Sequence, residues 1–129
     1  MSDNLANTMP FSQMMGVNVT DATTASVIGE IEVRKDLCTT GGIMHGGAIM
    51  AFADALGAIG GFLALPEGAN GTTTIESKTN FLGAAPLGER VIGETKPVKT
   101  GARLSVWQTD IRLENGRQVA LVTQTQLVL

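Results

Sequence analysis

The sequence predicts an α+β fold, an antiparallel sheet wrapped around one long central helix. Three observations carry this. From 48 to 65 every residue is Ala, Gly, Ile, Leu, Met or Phe except Asp54, and a helix apolar on all sides is a buried one. Strand-like runs fill 72–82, 89–99, 103–113 and 118–129. Turn signals at Pro86-Leu87-Gly88, Thr100-Gly101 and Asn115-Gly116 divide those runs at spacings that suit an antiparallel meander.

In chain order, residues 1–8 are polar, resemble neither a signal nor a transit peptide, and read as a flexible N-terminal tail. Residues 10–15 form a short helix stopped by Gly16. Over 26–34, Val27, Ile31 and Val33 alternate with Glu30, Glu32 and Arg34, the pattern of a half-buried strand. The central helix follows, then a turn region at Pro66-Glu67-Gly68 and Asn70-Gly71. Asn115-Gly116 is a strong hairpin signal because both positions accept positive φ.

The chain has 129 residues, enough for one domain over 1–129 with a sizeable core. A net charge of −3 and a pI near 5.0 argue against a nucleic-acid partner, and no basic run is present to meet an anionic membrane. The apolar helix reaches the minimum length of a membrane span, but its central acid, its glycines and the strand-like remainder oppose that reading. A single cysteine, Cys38, excludes an intrachain disulfide and fits a reducing compartment, so a cytoplasmic location is expected. One histidine, one cysteine and scattered acids give no metal-ligand spacing, and no cofactor is expected.

Asp54 demands an explanation, because a carboxylate inside a buried helix is strongly disfavoured unless it is paired. Ile49, Phe52, Leu56, Ile59 and Leu63 form one bulky helical stripe, made to pack on a sheet. The neighbours of Asp54 at helical spacing are Gly47, Met50, Ala51, Gly57, Ala58 and Gly61. That face is nearly bare, so a ligand or another backbone, such as a second helix, can approach it. Glycine in a helix costs up to about 1 kcal/mol against alanine, so several on one side have a packing or binding reason.

These features together resemble a known family. His45-Gly46-Gly47 opening the helix, Asp54 nine residues after the histidine, and Phe81-Leu82 leading into Leu87-Gly88-Glu89 are similar to the hotdog fold, and within it to PaaI-type acyl-CoA thioesterases. The segment Gly101-Ala102-Arg103-Leu104-Ser105-Val106-Trp107-Gln108 resembles the strand after the CoA-contacting loop in the branch that includes 1,4-dihydroxy-2-naphthoyl-CoA thioesterases. The resemblance covers roughly residues 11–129. It implies an acyl-CoA substrate, with Asp54 as base or nucleophile and the Gly46 N–H as oxyanion donor. It further implies a homodimer, often paired into a dimer of dimers, that is, a homotetramer.

Chemistry agrees with that assignment. Thioester hydrolysis needs donors where the carbonyl oxygen gains charge and a base or nucleophile at the carbon. A helix N-terminus offers free N–H groups and the positive end of a dipole. Gly46 and Asp54 are separated by about 12 Å of helix, so acting on one thioester they must come from different chains.

The other candidates are less sharply defined. By resemblance Thr74 matches a hydroxyl that holds the acid or the attacking water, although it is also an ordinary strand threonine. Thr39 stands where the family usually has Asn or Gln, and a hydroxyl lacks the reach and second donor of an amide. His45 suits a general base by chemistry, but the family uses it to order the loop entering the helix. Arg103 and Lys99, at a turn containing Gly101, are candidates for the phosphates of CoA. Met14, Met15, Phe62 and Phe81 are candidates to line the acyl pocket. Two alternatives remain open: a hotdog hydratase or dehydratase acting on enoyl or hydroxyacyl thioesters, and a non-catalytic acyl-CoA-binding protein.

Overall fold

The computed structural model describes residues 4–129. Strands β1 (Asn18–Ala22), β2 (Val27–Glu32), β3 (Thr72–Phe81), β4 (Arg90–Thr100), β5 (Leu104–Leu113) and β6 (Gln118–Val128) form one antiparallel sheet in the order β1-β2-β4-β5-β6-β3. A short helix α1 (Pro10–Met15) leads into the sheet, and α2 (Gly46–Leu63) packs against one face of it. The expected architecture is present: one long helix held by an antiparallel sheet.

Packing explains why α2 lies close to the strands. Phe52 and Leu56 are fully buried. Both enter a dimple made by Gly29 and Gly93, which face each other across β2 and β4. A Cβ on either glycine would lie 2.7 Å from a Leu56 methyl carbon. Ile49 and Ile59 are buried along the same stripe, and Leu63 packs against its end. The helix is apolar and long enough to suit a membrane by composition, but here protein covers this stripe.

The glycines of α2 also have a packing reason within the chain. At Gly57 and Gly61 the helix receives side chains of the sheet. A Cβ at Gly60 would sit 2.8 Å from the Trp107 ring, and one at Gly57 would overlap the Gln124 amide. Gly61 admits Gln126 in the same way. The glycines exist so that the large side chains of β5 and β6 fit beneath the helix.

Two expectations need correction, and the hairpin expected at Asn115-Gly116 is present with a turn geometry of its own. The runs after the helix do not form a four-strand meander: β4, β5 and β6 do, but β3 pairs with β6 at the far edge of the sheet. Strand order depends on where the connection after β3 runs. That loop is tied to the one before α2 by Met44 N–H to the Ala85 carbonyl (2.8 Å) and Leu87 N–H to the Gly42 carbonyl (2.9 Å). In the β5–β6 turn only Gly116 has positive φ, 92°. Its N–H bonds the Leu113 carbonyl at 2.8 Å, giving a type I turn closed by a left-handed glycine. Finally, Leu5–Thr8, expected within a flexible tail, is a 3-10 helix with Ala6 buried. The Asn4 side chain ties it down, donating to the Val17 carbonyl (2.7 Å) and accepting from the Val19 N–H (2.9 Å). The rest of that tail, residues 1–3, lies outside the described residues.

Candidate active site

Asp54 is half-buried on the flank of α2 that faces β3 and β6. Its Oδ1 accepts from the Thr74 hydroxyl at 2.6 Å and from Gln124 Nε2 at 3.2 Å. Thr74 in turn accepts from Gln126 Nε2 at 2.5 Å, and the Thr72 hydroxyl donates to Gln126 Oε1 at 3.0 Å. Every member of this chain therefore donates toward the carboxylate, which is acceptor-only when ionised. Hydrogen bonds to a charged group contribute about 1.5–3 kcal/mol each, which offsets the desolvation of the acid. Among the described residues Oδ2 has no donor, so one oxygen is anchored and the other is free to react.

Register explains how these groups meet. Thr74 and Gln126 are directly paired on β3 and β6, and Gln124 lies two residues back on the same face. A bulge between Thr74 and Glu76 resets β3, so that Ser77 pairs with Gln124. Thr74, a candidate from the sequence, is thus brought within hydrogen-bond distance of the acid. The two glutamines were missed, although a signal existed. Along β6, Ala120, Val122, Gln124 and Gln126 share the buried face, so two amides occupy positions whose parity calls for apolar residues.

The N-terminus of α2 forms a second part of the site. His45 is the N-cap: its Nδ1 accepts from the Gly47 N–H at 2.8 Å, and its carbonyl accepts from the N–H groups of Ala48 and Ile49. These bonds order the turn that enters α2. Gly46 is the first helical residue, and its N–H has no acceptor among the described residues. The Phe81 ring lies over it, 3.2 Å from where a Cβ would be. Gly46, Thr39, Ile49, Phe81 and Ala85 line a cavity of about 340 Å³. Thr39 and Gly46 thus share one pocket, while Asp54 and Thr74 lie further along the helix.

Lys99 and Arg103 are both exposed and make no ion pair among the described residues. The Arg103 carbonyl accepts from the Val128 N–H, and Val128 pairs with Thr72. This turn therefore stands at the Thr72 end of β3, opposite the Phe81–Gly46 end. The acyl-pocket candidates separate into three cavities. Met14 and Met15 line one with His45, Phe81 lines the Gly46 cavity, and Phe62 lines a third of about 470 Å³ with Met9, Ile59 and Thr72.

A sheet folded onto one helix that carries a hydrogen-bonded acid defines a protein of the hotdog class. Residues 41–120 match the thioesterase superfamily, and the chain belongs to that family. It is 38% identical over 76 residues to the 1,4-dihydroxy-2-naphthoyl-CoA hydrolase of Escherichia coli (strain K12), an alignment covering 59% of this chain and 54% of that one. The chain thus spans about half the length of that relative. A thioesterase structure from Haemophilus influenzae superposes with a TM-score of 0.86 at 23% identity, over 100% of this chain and 92% of the other. A mutant of the phenylacetic acid degradation protein PaaI from Thermus thermophilus gives 0.85 at 25% identity, over 93% and 99%.

Proposed function

We propose that this protein is an acyl-CoA thioesterase that hydrolyses an aromatic or short- to medium-chain acyl-CoA to the free acid and CoA. The observation that carries the reading is the Asp54 carboxylate, anchored through Oδ1 by Thr74 and Gln124 with Oδ2 left without a donor. In this reading Oδ2 takes a proton from an attacking water and passes it to the CoA sulfur, which leaves as the thiol. Alternatively Oδ2 itself attacks the thioester carbon and CoA leaves as the thiolate. A water then hydrolyses the acyl–Asp54 anhydride, releasing the free acid, restoring the carboxylate and supplying the proton of the thiol. The Gly46 N–H stabilises the oxyanion that forms in either case. The similarity to a naphthoyl-CoA hydrolase supports an aromatic acyl group.

About 12 Å of helix separates Gly46 from Asp54, which supports a composite site with Gly46 from one protomer and Asp54 from its partner. The assembly proposed is a homodimer, paired further into a dimer of dimers, in the cytoplasm. Lys99 and Arg103, exposed at the β4–β5 turn, would meet the phosphates of CoA. Thr39 favours a second reading, a protein that binds acyl-CoA without turning it over, because a hydroxyl replaces the amide usual at that position.

One assay separates the readings: thiol release from a panel of aromatic and aliphatic acyl-CoAs by wild type and Asp54→Ala. Release lost in the variant is the expected result. Binding without release from either protein would favour the acyl-CoA-binding reading, and equal release from both would overturn the role of Asp54.

A further inference from the structure

We infer that Gln124 is a positioning residue for Asp54, and that Gly57 is present to let it reach the acid. The inference rests on the thioesterase reading above. Gln124 is fully buried, yet it extends from β6 beneath α2 to donate from Nε2 to Asp54 Oδ1 at 3.2 Å. Its amide lies flat against Gly57, where a Cβ would overlap Oε1 and stand 2.6 Å from Nε2. No other amino acid at position 57 leaves that space.

The carboxylate is thus held from two strands at once. Thr74, itself held by Gln126, fixes Oδ1 from β3, and Gln124 fixes it from β6. One donor alone leaves the carboxylate free to rotate about its Cβ–Cγ bond. Two donors on the same oxygen, from different directions, define the plane of the group and the direction in which Oδ2 points. A carboxylate held this way needs no rearrangement before reaction, whereas loss of about 1 Å in placement costs on the order of 100-fold in rate.

Gln124 touches no reacting atom in this account, so its removal acts on turnover and spares substrate binding. The test uses Gln124→Met, Gly57→Ala and the pair, with kcat and KM measured by thiol release on the best acyl-CoA of the panel. Methionine keeps the length of the side chain and fills its space, but cannot donate. Alanine at 57 is a better helix former than glycine, and the atoms its methyl displaces are those of the Gln124 amide. We expect each single variant to lose about 10- to 100-fold in kcat with KM within about twofold. The pair should lose no more than Gln124→Met alone, because Gly57→Ala acts only through the amide.

Thermal melts check that each variant folds. Should Gln124→Met be poorly folded, Gly57→Ala alone carries the test. Wild-type kcat in a folded Gly57→Ala or Gln124→Met variant would overturn the inference while leaving the Asp54 reading intact. Losses that multiply in the pair would overturn the link between Gly57 and Gln124. If Asp54→Ala keeps full release, the thioesterase role of the acid fails first, and the positioning role falls with it.

Discussion

Replacing Gly46 by proline deletes one N–H and leaves the helix otherwise intact. Gly46 is the first residue of α2, where proline is favoured because that N–H bonds nothing within the helix. Proline also requires an extended residue before it, and His45 has φ −61° and ψ 136°. The capping bonds of this turn use the Gly47, Ala48 and Ile49 N–H groups, none of which is lost. Both Gly46→Ala and Gly46→Pro place a Cβ 3.2 Å from the exposed Phe81 ring, and proline adds two ring carbons, one of them on the nitrogen. Comparing proline with alanine therefore removes the donor at constant Cβ, and KM reports any crowding of substrate by the added ring carbons. Loss of one oxyanion donor lowers kcat by about 100- to 1,000-fold, or roughly 3–4 kcal/mol of transition-state stabilisation. We expect that ratio between Gly46→Ala and Gly46→Pro in thiol release, with similar melting temperatures. A folded proline variant within about threefold of the alanine variant would refute Gly46 as the donor, since the loss of an oxyanion bond cannot have so small an effect.

Two other outcomes are expected. Gly93→Ala places a methyl 2.7 Å from Leu56 and 3.0 Å from the Phe52 ring, both fully buried. Such overpacking costs about 1–3 kcal/mol, read as a fall in melting temperature of roughly 4–11 °C for a chain of this size. In a composite site, mixing Asp54→Ala with Gly46→Pro protomers under conditions that exchange subunits should regenerate one intact site per heterodimer and recover thiol release. Failure of mixed, folded protomers to recover activity would count against the sharing of sites between chains.

What the sequence made legible was local. The end of α1 at Gly16, the extent of α2 and the limits of β2, β4, β5 and β6 follow from turn residues and periodicity, and the structure agrees within a few residues. β1 escaped because Asn18, Thr20 and Asp21 give an edge strand no buried stripe to reveal it. The position of β3 is set by a loop that crosses the sheet, which no local pattern encodes. Ala6 is buried through bonds from Asn4 to a strand distant in sequence. Of the candidate site, Asp54 and Gly46 stand out because they sit in a recognisable motif, whereas Thr74 is marked only by its position in the resemblance. Gln124 and Gln126 were legible in principle, as polar residues on the buried parity of a strand, but only the register of β6 with β3 says what they hold.

The glycines of α2 join packing to chemistry. Gly57, Gly60 and Gly61 let the helix settle onto Gln124, Trp107 and Gln126, and only a helix seated that low brings Asp54 within hydrogen-bond range of two strands. The arrangement that buries Leu56 in the Gly29–Gly93 dimple is thus also the one that aims the acid. Core and site cannot be altered separately here: a methyl at Gly57 reaches the carboxylate through one amide. The same rigidity bears on the proposed sharing of sites between protomers. A helix pinned along its length cannot bend Gly46 toward its own Asp54. In the composite site proposed above, the free edge of β3, whose Thr74 anchors the acid of α2, is the surface against which a second copy would bring that donor.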